Sequence, residues 1–76
     1  MLHFLHVVRE DRGLSLAELA RAVHTHPDRV ARYERGERPR NPQTIQQLAD
    51  ALSVRPEVLT ASSITLHRDG RIEVAA

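Results

Sequence analysis

The chain has 76 residues, enough for one domain but not for both a stable scaffold and a buried active site. Hydrophobic residues make up 41% and aromatic residues only 3%, so the core must be aliphatic, and the absence of cysteine excludes disulfides and thiolate zinc sites. Formal net charge is only +1, yet every basic residue is arginine, and residues 29–40 set Arg29, Arg32, Arg35, Arg38 and Arg40 against Glu34 and Glu37 alone, a clustered positive face.

The first segment, Phe4–Arg12, places Phe4, Leu5 and Val8 on one helical face, and Gly13 follows as a terminating residue. Its apolar run is broken by His3, His6 and Arg9, so neither a signal peptide nor a membrane span is expected, and the cytosol is the expected location. The second helix has a sharp start. Ser15 stands three residues before Glu18, the spacing of a capping box, and Leu14 and Leu19 hold the positions of a hydrophobic staple. Leu16, Leu19, Ala20 and Val23 then repeat at intervals of three and four, giving a helix over 16–23 with one buried stripe.

His24-Thr25-His26 interrupts that pattern, and Pro27 reads as the first residue of a third helix over 27–35. Thr25 has the better capping chemistry, whereas proline at the first helical position favours His26 as the cap. Gly36 ends this helix, and Pro39 and Pro42 keep Glu37–Asn41 irregular. Asn41-Pro42 opens a fourth helix with Ile45, Leu48, Ala49 and Leu52 facing inward, and Arg55-Pro56 a short fifth over Pro56–Thr60, anchored by Val58 and Leu59.

After the linker-like Ala61-Ser62-Ser63, the triplets Ile64-Thr65-Leu66 and Ile72-Glu73-Val74 alternate with period two. A two-residue Asp69-Gly70 turn would mix the two faces. A loop of Arg68, Asp69 and a left-handed Gly70 instead pairs Leu66 with Ile72 and Ile64 with Val74. An isolated hairpin is marginal in water, so its apolar face must dock, either on a second copy of the chain or on the domain's own helices.

Two short helices across a tight turn, the second followed by an arginine-dense loop, form a helix–turn–helix suited to the DNA major groove. Leu14-Ser15-x-x-Glu18-Leu19-Ala20, Val23, Val30 and Tyr33-Glu34-Arg35-Gly36 resemble the phage-repressor/Cro-type (lambda-repressor-like, XRE) helix–turn–helix family. Leu48-Ala49-x-x-Leu52-x-Val54 and Glu57-x-Leu59 extend the resemblance to about residue 60. It implies an all-α fold: a compact five-helix lambda-repressor-like DNA-binding domain over 1–60. Residues 61–76 are then a C-terminal β-hairpin or strand extension that serves dimerisation through Ile64, Leu66, Ile72 and Val74. It also implies that Arg9 and Glu34 form a structural ion pair between the first and third helices.

This chain departs from the family pattern at three points. Leu16 stands where a DNA-touching glutamine is frequent, His24 replaces the usual turn glycine, and Pro27 removes a side chain that often reaches bases.

On a helical wheel Val30, Tyr33 and Glu34 face inward, while Asp28, Arg32 and Arg35 face outward with Arg29 flanking them. Arg29 and Arg32 are the leading candidates for base contacts, because arginine reads guanine O6 and N7 bidentately; His26 and Asp28 follow. Asp28 also has the i,i+4 spacing for an ion pair with Arg32. Ser15, Arg35, Arg38, Arg40 and Asn41 are the expected phosphate contacts. The histidine pairs lack the cysteine or carboxylate partners of a zinc site, and no nucleophile–base grouping or phosphate loop is present. No metal, cofactor or enzymatic activity is expected. The reading is a sequence-specific transcriptional regulator, a repressor that binds double-stranded DNA as a homodimer. Its rivals are an antitoxin that binds a partner toxin and represses its own operon, and an assembly module without DNA binding.

Overall fold

Prolines and short polar side chains set where the helices begin, and the computed structural model, which describes residues 2–75, places five of them in order. Helix α1 spans Leu5–Asp11, α2 Leu16–Ala22, α3 Pro27–Glu34, α4 Pro42–Leu52 and α5 Pro56–Thr60. Strands β1 (Ile64–Leu66) and β2 (Ile72–Val74) close the chain as an antiparallel hairpin. Proline fills the first position of α3, α4 and α5, where its missing N–H costs nothing. The capping box forms in full: Glu18 N–H donates to Ser15 Oγ at 3.0 Å and Ser15 N–H to Glu18 Oε1 at 2.8 Å.

The helix ends are more uniform than the sequence suggests. After α1, α2, α3 and α4, the chain turns through one residue of positive φ: Gly13, His24, Gly36 and Ser53. In each case the next N–H reaches back to a carbonyl five residues earlier, Leu14 to Arg9, Thr25 to Ala20, Glu37 to Arg32 and Val54 to Ala49, at 2.9–3.1 Å. This paired closure satisfies the last carbonyls of the helix. His24 (φ 57°) and Ser53 (φ 58°) hold the left-handed conformation despite carrying a Cβ.

Leu5, Val8, Leu19, Ala20, Val30, Leu48, Ala49 and Leu59 are fully buried and form the centre of one aliphatic core. Leu2, ahead of the Phe4–Arg12 segment and outside the helix, joins it at 2% exposure, and Phe4 packs only at the margin. Leu14 and Leu16 also pack at its edge.

The hairpin has the three-residue-loop register: Ile64 pairs with Val74, Thr65 with Glu73 and Leu66 with Ile72. Gly70 is left-handed at φ 89°, and Asp69 Oδ1 accepts from Arg71 N–H across the loop at 3.0 Å. His67 N–H bonds Arg71 C=O and Ala75 N–H bonds Ser63 C=O, which makes Ile64–Val74 and Leu66–Ile72 the non-hydrogen-bonded pairs. The peptide groups of those four residues therefore point outward along both rims. The hairpin docks on its own chain. Ile64 and Ile72 pack against the helical core, β2 lies along α5, and Leu66 and Val74 stay 42% and 43% exposed.

Arg12 fastens this docking. Its Nε donates to the Leu52 carbonyl at the end of α4 (2.8 Å), and its Nη1 to the Gly70 carbonyl in the hairpin loop (2.9 Å) and to Asp11 Oδ2 (2.8 Å). One guanidinium thus joins the end of α1, the end of α4 and the hairpin.

Candidate nucleic-acid interface

Val30 and Tyr33 bury one face of α3 against α2, which forces Asp28, Arg32 and Arg35 to the opposite, solvent face. His26 caps the helix: its Nδ1 accepts from Asp28 N–H at 3.2 Å. Proline at the first helical position thus outweighs the better capping chemistry of Thr25. With Nδ1 engaged as the acceptor, Nε2 is the ring nitrogen left to donate, on a side chain that is largely exposed. Asp28 lies near His26 Nδ1 (3.7 Å), and no ion pair with Arg32 forms among the described residues.

Arg9 and Glu34 lie together at the α1–α3 contact, each side chain 10% exposed. Arg9 Nε donates to Glu34 Oε2 at 2.6 Å, Nη2 to Oε1 at 3.3 Å, and Nη1 to the Leu14 carbonyl at 2.8 Å. The hydrogen bond to Glu34 raises the Arg9 pKa above its ordinary value, against the opposing effect of burial and with further help from the charges of Glu34 and Glu10. His6 Nδ1 approaches Glu34 Oε1 at 3.3 Å on the exposed side of the pair. Glu34 is therefore turned away from the outward face of α3.

Beside α3 lies a cleft of about 610 Å³ bounded by the helix–turn–helix turn, the α3–α4 loop and the start of α4. Arg29, Arg32, Arg38, Arg40 and Asn41 all line it. Pro39 is buried between the exposed Arg38 and Arg40, so the loop anchors at its middle and presents an arginine on either side. Asn41 Oδ1 caps α4 by accepting from Gln43 N–H at 2.9 Å. Arg35, the residue that caps the end of α3, donates from Nε to the Ala31 carbonyl at 3.4 Å. Ser15 is exposed, its hydroxyl held in the capping box. Ser15, His26, Asp28 and Arg35 lie outside the cleft.

The cleft also takes in His24 and Thr25, which the sequence marks only as turn and capping residues, and Thr44 and Gln47, which it does not mark at all. Asn41, Thr44 and Gln47 recur every three residues along the polar side of α4, a spacing that could have marked them. The place of His24 and Thr25 follows from the turn geometry, which carries no separate sequence signal.

A capped helix, a tight left-handed turn and a second helix with an outward polar face define a helix–turn–helix protein. Residues 1–62 match the family described as "Helix-turn-helix domain", and the chain belongs to that family. No curated protein matches the chain. Among the described residues no helix is long and apolar enough to cross a membrane.

Proposed function

We propose that this chain is a sequence-specific DNA-binding transcriptional regulator of the phage-repressor/Cro (XRE) type, a repressor that binds a palindromic operator as a homodimer. The observation that carries this reading is a set of arginines with no carboxylate partner among the described residues, Arg29, Arg32, Arg38 and Arg40, gathered beside the outward face of α3. Arginine forks match both guanine edges and phosphates.

In this reading α3 enters the major groove. His26, Asp28, Arg29 and Arg32 address base edges, and Ser15, Arg35, Arg38, Arg40 and Asn41 hold the backbone. The exposed Nε2–H of His26 acts as a donor. Residues 1–60 form the DNA-binding unit and 61–76 the dimerising extension. With Ile64 and Ile72 turned to the chain's own core, Leu66 and Val74 are the apolar groups left for the partner copy.

Selection of bound sequences from random DNA, followed by binding of two variants, tests the assignment. Arg32→Ala is expected to relax discrimination at one base pair per half-site, by about 1–3 kcal/mol. Arg38→Ala is expected to weaken all sequences alike and to reduce the salt slope by about one per subunit. Equal losses on selected and random DNA for both variants would sink it.

The same exposed Leu66 and Val74 favour a second reading, an antitoxin whose hairpin meets a partner protein. A second chain that co-purifies tightly would select it.

A further inference from the structure

The charge of the cleft beside α3 is more concentrated than the chain's net charge of +1 implies. Arg29, Arg32, Arg38 and Arg40 line it, and Glu37 is the only carboxylate among its lining residues. Among the described residues none of these four guanidiniums lies within ion-pair distance of a carboxylate. Four acidic side chains elsewhere have other partners: Asp11 holds Arg12, Glu34 holds Arg9, Glu18 caps α2 and Asp50 accepts from Gln46. The buried Val23 and Tyr33 also line the cleft, and Thr44 lies beside the loop with its hydroxyl unbonded among the described residues. Four like charges in one concavity repel one another, and a multiply charged anion of complementary geometry relieves that repulsion. A volume of about 610 Å³ lies within the range of small-molecule sites.

We propose that this cleft is a site for a soluble polyphosphate anion of the nucleoside di- or triphosphate kind, and that its occupation excludes DNA. The exclusion rests on the DNA-binding reading; the anion site does not. The chemistry shared with DNA is the phosphate group itself. Adjacent phosphates of a free polyphosphate lie closer together than those of a DNA strand and engage several guanidiniums at once. No bond is made or broken; the step is binding alone.

Calorimetric titration of the full chain with inorganic triphosphate and with ATP, at fixed ionic strength and with sulfate as the comparison anion, tests the site directly. One anion per chain is expected, with sulfate weaker. Losing two charge-assisted contacts in Arg38→Ala/Arg40→Ala should weaken triphosphate at least about tenfold. Arg21→Ala and Arg55→Ala remove exposed arginines that lie outside the cleft, and their effect should stay within about twofold. All four arginines are exposed, so folding is retained. Equal losses in both sets, or several anions per chain, would overturn the site in favour of diffuse charge attraction.

A labelled duplex then separates the two proposals. Displacement of bound duplex by triphosphate supports the exclusion, and simultaneous binding of both overturns it. A chain that binds triphosphate in the cleft but no duplex overturns the DNA-binding reading and leaves the anion site standing.

Discussion

Arg9 shows how much one side chain can fix. It is 9% exposed, yet it meets a carboxylate on α3 and a carbonyl in the α1–α2 joint, so its charge is paired and each of its three nitrogens donates a hydrogen bond. The Arg9–Glu34 pairing follows from the resemblance to a known family. The Leu14 carbonyl and His6 do not, because a backbone acceptor and a neighbouring ring leave no mark in residue spacing. Arg9→Met or Glu34→Leu alone is expected to cost about 3 kcal/mol by stranding the opposite charge. The double variant should recover more than half of the summed loss. Denaturant unfolding of the four proteins reads this cycle, and strictly additive losses would show that the two side chains act independently.

At the level of elements, the starts of the helices are legible and some of their ends are not. Pro27, Pro42, Pro56 and the Ser15–Glu18 box mark beginnings through chemistry that few other residues supply. Gly13 and Gly36 mark two ends in the same way. His24 and Ser53 do the work of glycine, and only the known family pattern points to the first of them. Ser53→Gly removes left-handed strain of about 1–2 kcal/mol but adds chain freedom to the unfolded state, for a net gain of about 0.5 kcal/mol. Its thermal midpoint should therefore rise by about 3 °C, whereas Ser53→Val should melt lower than the parent.

The capping box makes α2 sensitive to acid. Hydrogen bonds from Ser15, its backbone N–H first and its side chain second, lower the Glu18 pKa below the ordinary 4.5. A depressed carboxylate contributes its stability fully above the unfolded value and loses it as pH falls through the folded one. Melting from about pH 2 to 6 should thus show part of the acid slope vanishing in Glu18→Gln, which keeps the box without the titration. An unchanged slope would remove Glu18 from the acid response.

Across the whole molecule, the pairing within the hairpin is readable but its docking partner is not. Period-two alternation and the Asp69-Gly70 loop define which residues pair, since a shift by one would turn the apolar set outward. Both a second copy and the chain's own helices could cover that face, and the difference turns on Arg12, a charged residue in the first helical segment with no sequence signal toward residue 70. Arg12→Ala is expected to loosen the hairpin while α2 and α3 keep their packing. Amide exchange should accelerate at His67, Gly70 and Ala75, whose N–H groups bond within the hairpin. Exchange rising equally in α2 and α3 would mean that Arg12 supports the whole core instead.

The register of that hairpin has one more consequence. Because its apolar residues occupy the non-hydrogen-bonded pairs, the ribbon presents free donors and acceptors on both rims, beside the exposed Leu66 and Val74. Such a ribbon can template further strands, and nothing in its pairing limits their number. Arg68, Arg71 and Glu73, exposed in the loop and along β2, then act as gatekeepers: stacked ribbons would bring like charges together at every repeat. Solubility at high concentration is the property these three side chains protect.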